Sequence, residues 1–166
     1  MTDLIQSPAK DLKVISNEHT LAKAHIDNVM QGRKIQKVLF VNPPDVDETV
    51  FDYDIAKRGR GNNYPSYGIG ILAAQLRQLG YNTEIINLNH EALKKVYNTK
   101  IENDFNYIDA WQSSIIDKID NFKPDIIGVS CLFSVTHSSF KKVCKFIKSK
   151  YNDTPIIVGG VHVSHD

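Results

Sequence analysis

"KVLFVNPP", residues 37–44, decides the fold. The run is apolar and β-branched without polar alternation, which suits a strand buried on both faces, as strands of parallel sheets are, and its two prolines open a loop. Downstream, "NTEIINL" (82–88), "DIIGVSCL" (125–132) and "PIIVGGV" (155–161) repeat the signal as short β-rich segments. Between them lie helical patterns. "YPSYGIGILAAQLRQLG" spaces Ile69, Leu72, Ala73, Leu76 and Leu79 on one helical face and stops at Gly80. Ile108, Trp111, Ile115, Ile119 and Phe122 repeat the spacing ahead of Pro124, and Phe140, Val143, Cys144, Ile147 and Tyr151 do so with lysines opposite. Residues 91–97 read as one irregular helical segment. Trp111 and the tyrosines read as core and rim packing.

Strands alternating with amphipathic helices predict an α/β, three-layer, doubly wound parallel sheet, because each parallel connection needs a right-handed crossover. The expected order is 2-1-3-4, the flavodoxin-like (Rossmann-like) order lacking its fifth strand. That order leaves strand four as an open edge, through which the chain is expected to self-associate and which suggests C-terminal truncation. Residues 1–34 are polar and read as an appendage with one helix from about Glu18 to Gln31, stopped by Gly32. The domain proper is 35–166.

The sequence has 166 residues, with Lys and Arg totalling 20 against 19 Asp and Glu. So even a balance offers no electrostatic footprint for nucleic acid or an anionic membrane. No apolar stretch approaches the roughly 20 residues that cross a bilayer, and "MTDLIQSPAKDLK" lacks the apolar centre of a signal peptide, so the expected compartment is the cytoplasm. Cys131 and Cys144 are the only cysteines, wrongly spaced for a zinc or iron–sulfur motif, and read as reduced, buried thiols.

In open α/β sheets ligands bind beyond the carboxyl ends of the strands, at the switch in strand order. Here those ends carry "NPPDVDE", "SCLFSVTH" and "GGVHVS". Ser130 and Thr136 offer hydroxyls to a ligand, although such residues often only cap the next helix. Gly159 and Gly160 let a flat ligand approach the backbone or simply form a turn. "AKRGRGNN" (56–63) could hold an anion through Arg58 and Arg60, or be a solvated loop; it carries neither a Walker loop nor a dinucleotide fingerprint. His137, His162 and His165 raise the thought of a metal, but a strand would put His162 and His165 on opposite faces.

Ser130-Cys131-Leu132 and Gly159-Gly160, each at a strand end, together resemble the Ser-x-Leu and Gly-Gly elements of cobalamin-binding Rossmann-like domains. "KVLFVNPP", "YPSYGIGILAAQLRQLGYNTEIINLN", "KPDIIGVSCLFSVTH" and "IIVGGVHVS" extend the likeness over residues 37–166. They are similar to the N-terminal cobalamin-binding domain of radical S-adenosylmethionine enzymes. The resemblance implies a domain that positions cobalamin for methyl transfer or radical chemistry, in an enzyme of the methyltransferase or cyclase type. It implies cofactor contacts from Asn42, Pro43, Pro44, Ser130, Leu132, Ser134, Thr136, Gly159, Gly160 and His162, the serine meeting the dimethylbenzimidazole tail and the glycines making room for it. No catalytic residue and no metal ligand is expected in this chain.

Two departures qualify the likeness. Methionine synthase-type domains carry Asp-x-His-x-x-Gly after strand one, whereas residues 45–63 contain no histidine, so the cofactor is expected base-off without a protein imidazole. The Cys-x-x-x-Cys-x-x-Cys that holds a [4Fe–4S] cluster is also missing, which assigns S-adenosylmethionine, the cluster and the partner barrel to a catalytic domain absent from this chain. Two alternatives stand beside this reading. One is a cobalamin-free flavodoxin-like docking or substrate-recognition module, the other a stand-alone nucleotide- or flavin-binding enzyme.

Overall fold

A computed structural model describes residues 10–165. The first nine residues of the expected appendage, and Asp166, lie outside the described residues. The chain divides into two compact units, residues 1–34 and 35–166. In the first, α1 spans Lys10–Met30, a start eight residues ahead of the helix expected from Glu18. It ends where Gln31 and Gly32 both adopt positive φ.

The second unit runs β1 (Lys37–Asn42), α2 (Tyr53–Lys57), α3 (Tyr67–Gln78), β2 (Asn82–Asn87), α4 (Leu88–Asn98), α5 (Tyr107–Phe122), β3 (Ile126–Ser130), α6 (His137–Lys150), β4 (Ile156–Gly159) and α7 (Val161–His165). All strand pairs are parallel and the order is β2-β1-β3-β4, as the alternation of elements predicts. Because successive strand residues point to opposite faces, the sheet has two distinct sides. Leu39, Val41, Ile86, Ile127 and Val129 face α4, α5 and α6 in the main core with Ala92, Trp111, Ile115, Val143 and Ile147. Burying that many branched side chains, at about 1.5–3 kcal/mol each, makes this face the chief source of stability. The opposite side is partly covered by α3, whose Ile69 and Ala73 are buried.

Three expectations change. Residues 88–98 form a regular helix, begun by Asn87, whose side chain accepts a hydrogen bond from the His90 amide. The sequence hid it because β2 runs into α4 without a connecting residue and Asn89 interrupts the apolar stripe of Leu88, Ala92 and Val96. Asn89 is buried but satisfied: its amide donates to the Asn62 carbonyl (2.6 Å) and Asp45 Oδ2 (3.2 Å), and its Oδ1 accepts from the Asp45 amide. Leu72 and Leu79, assigned to the packed face of α3, are largely exposed. The last strand ends at Gly159, and Val161–His165 is helical.

Candidate functional site

The register aligns Phe40 with Gly128 and Gly128 with Ile157, and two residues on it aligns Ser130 with Gly159. All five point to the α3 side, where α3 covers only part of the sheet. What remains is an apolar groove of about 410 Å³, lined by Phe40, Ile69, Leu72, Ser130, Leu132 and Gly159 among others. Its floor depends on missing side chains. A Cβ at Gly128 would stand 3.0 Å from the Phe40 ring, so the glycine leaves space for that ring. A Cβ at Gly159 would meet nothing within 4 Å, so any side chain there would grow into the groove itself.

Gly160 borders the same groove but has a different task. Its φ is +113°, and a Cβ would stand 2.8 Å from the carbonyl carbon of Cys131, closer than atoms pack. The Cys131 amide donates to the Gly159 carbonyl at 2.7 Å, closing the end of the β3–β4 ladder. Backbone meets backbone here, and the chain turns directly into α7. Gly159 gives the groove its room, whereas Gly160 makes the turn.

The predicted cofactor residues therefore separate into three groups. Ser130, Leu132, Gly159 and Gly160 line the groove. Asn42, Pro43 and Pro44 do not. Asn42 Nδ2 donates to the Pro43 carbonyl (3.2 Å) and to Asn87 Oδ1 (3.4 Å), tying the ends of β1 and β2, and both prolines are buried. Ser134, Thr136 and His162 gather at the carboxyl end of β3. The Thr136 hydroxyl donates to the Phe133 carbonyl at 2.8 Å, Ser134 Oγ lies 3.2 Å from His162 Nδ1, and His162 Nε2 lies 2.9 Å from His137 Nδ1. The reason for setting a histidine metal site aside, a strand dividing His162 from His165, fails because both belong to α7.

Residues 45–48, following β1, are held from the other face of the sheet. The Tyr107 hydroxyl donates to the Val46 carbonyl at 2.7 Å, and Ser139 donates to the same oxygen at 2.8 Å. The Lys142 ammonium bridges Asp47 (2.8 Å) and Glu48 (2.5 Å). That ammonium and the Ser138 hydroxyl hold the Asp47 carboxyl well below the usual carboxylate range. Burial pushes the Asp45 carboxyl up. In the segment from 56 to 63, Arg58 pairs with Asp54 at 3.6 Å, and Lys57 donates to the Val96, Tyr97 and Thr99 carbonyls at the end of α4. Cys131 is buried, as expected, and Cys144 is half-buried, its thiol pushed up to about 11 by burial. No helix among the described residues is long and apolar enough to cross a membrane.

Sequence reasoning missed Phe40, Leu72 and Gly128 as groove residues. A signal existed: once the strand order is fixed, alternation puts Gly128 on the face of Ser130, one strand from Phe40.

Comparison with known proteins identifies the family. No solved structure matches the chain. The cytidylyl-2-hydroxyethylphosphonate methyltransferase of Streptomyces wedmorensis is 26% identical over 135 residues, covering 81% of this chain but only 24% of that relative. The model of the B12 binding domain matches residues 53–166, through α3, the groove and the Gly159–Gly160 turn. With most of its length inside that match and a four-stranded parallel sheet of order 2-1-3-4, the chain belongs to the B12-binding domain family.

Proposed function

We propose that this chain binds cobalamin through the groove and serves as the cobalamin-binding portion of a larger methyl-transferring enzyme of the radical S-adenosylmethionine class. The observation that carries the cobalamin reading is the groove floor. Ser130 and Gly159 are register partners on one face of the sheet, and the space over Gly159 is open. A planar aromatic base fits such a slot, because one face can lie on glycine backbone while its edge meets a hydroxyl.

When bound, cobalamin supplies methyl-transfer chemistry at cobalt. The chain's own residues bind and orient it. Ile69, Leu72, Leu132 and Ile157 offer apolar walls that keep water from the tail. Ser130 Oγ offers both a donor and an acceptor. Gly159 supplies room. The named activity of the Streptomyces relative supports methyl transfer over cyclisation. The two cysteines of this sequence are too few for a three-thiolate cluster motif, so the iron–sulfur and S-adenosylmethionine sites are assigned to a segment outside residues 1–166.

Incubation with hydroxocobalamin followed by desalting tests the binding. Retained red cofactor at one equivalent per chain is expected, and a colourless protein fraction would sink the cobalamin reading. The enzyme class is tested separately by the coding sequence beyond codon 166. A Cys-x-x-x-Cys-x-x-Cys there is expected, and a reading frame that continues without one would overturn the radical assignment while leaving the binding result untouched.

A further inference from the structure

Beside the groove, at the carboxyl end of β3, lie three side chains that the cobalamin reading does not use as a set. Cys131, His137 and His162 each offer one ligand atom, and the three atoms all lie within 4.8 Å of one another. They come from three different places: Cys131 directly follows β3, His137 opens α6, and His162 sits in the first turn of α7. Gly160 is what brings the third to the first two, since its close packing on the Cys131 backbone folds α7 over the end of β3.

We propose that Cys131, His137 and His162 form a binding site for a borderline-soft divalent cation of the zinc type, independent of cobalamin. The donor set decides the class of metal. One thiolate and two imidazoles suit zinc and its neighbours, whereas magnesium and calcium demand oxygen ligands. Bond lengths of about 2.0–2.1 Å to nitrogen and about 2.3 Å to sulfur place tetrahedral donor atoms about 3.3–3.6 Å apart. The His162–His137 nitrogen pair, at 2.9 Å, would have to open by about 0.4 Å, and no pair in the set is more than 4.8 Å apart, so ligation needs only changes of about an ångström.

The surroundings favour ligation as well. Ser134 Oγ holds His162 Nδ1 at 3.2 Å, leaving Nε2 as the ligand atom, which is the outer-shell support that fixes a metal-binding imidazole. Cys131 is buried, so its sulfur would be shielded from solvent. On binding, the thiol proton passes to the buffer and the thiolate forms the metal–sulfur bond. Three protein ligands leave a fourth position for water. Cys131 lies between Ser130 and Leu132, both in the groove wall, so a metal here would also fix the groove's rim.

The test uses the untagged full chain, chelator-stripped and free of cobalamin, titrated with cobalt(II) as a spectroscopic stand-in for zinc. One equivalent per chain should give the intense visible bands of a tetrahedral ion and a thiolate-to-metal charge-transfer band in the near ultraviolet, and zinc should displace both. Cys131→Ser should remove the charge-transfer band, and Cys144→Ser should keep it. His137→Gln and His162→Gln, both outside the main core, should abolish stoichiometric binding, and Ser134→Ala should weaken it about tenfold. A weak octahedral spectrum with no charge-transfer band would overturn the proposal. So would a band that survives both histidine variants or follows Cys144.

Discussion

Gly160 packs so closely on Cys131 that a Cβ would stand 2.8 Å from the Cys131 carbonyl carbon, and it holds a φ of +113° that other residues rarely adopt. Its neighbour Gly159 meets neither constraint. The family's paired glycines thus carry two separate physical demands, and substitution separates them.

Gly160→Ala should destabilise the domain by on the order of 2–4 kcal/mol, combining a strained backbone with an unyielding backbone contact. Urea unfolding monitored by circular dichroism measures it. Unchanged stability would mean that the turn relaxes without cost.

Gly159→Leu should leave the unfolding midpoint nearly unchanged and abolish retention of cobalamin, because its side chain enters open groove rather than packed protein. Retention equal to that of the parent would place the cofactor's tail elsewhere.

The cobalt of bound cobalamin should carry no protein nitrogen, since residues 45–63 contain no histidine and His137 and His162 are directed at each other. Electron paramagnetic resonance of the cob(II)inamide form, which has no tail base, reads this directly. Lines without nitrogen splitting are expected; a triplet splitting lost in His137→Ala or His162→Ala would reverse the assignment.

Asp47 gives stability a pH dependence. Its carboxyl is held below its unfolded value, so the contribution is complete above about pH 4 and is lost as pH falls toward the depressed native value. The difference in unfolding midpoint between the parent and Asp47→Asn should therefore shrink steadily between about pH 4 and pH 2. A difference that stays constant on acidification would show that the Lys142 and Ser138 contacts do not form in solution.

Among the described residues β4 pairs only with β3, and its Ile157 and Val158 are 50% and 42% exposed. Such an edge is a template for pairing with another chain. Sedimentation velocity should show association that rises with concentration and is suppressed by Val158→Lys. A strictly monomeric parent across the accessible concentrations would refute it.

The fold was legible because parallel strands buried on both faces write themselves as unbroken apolar runs, as in "KVLFVNPP" and "DIIGVS". α4 was obscured by Asn89, a polar residue buried through partners distant in sequence, Asp45 and Asn62. Of the candidate site, Ser130 and the glycines were readable from their places at strand ends, and Leu132 only from the resemblance to the Ser-x-Leu element. Asn42, Pro43 and Pro44 share such a place, and in the fold they tie and bury the end of β1, outside the groove lining.

The sequence by itself determined the layer order and the strand order, and with them the end of the sheet at which a ligand is expected, since these follow from local periodicity and the handedness of crossovers. Only the tertiary structure decided which strand-end residues share a groove, that Gly159 and Gly160 have different work, and that Cys131, His137 and His162 converge. Each of those depends on register and on a single positive-φ turn, which set distances between residues far apart in the chain and leave no periodic trace in it.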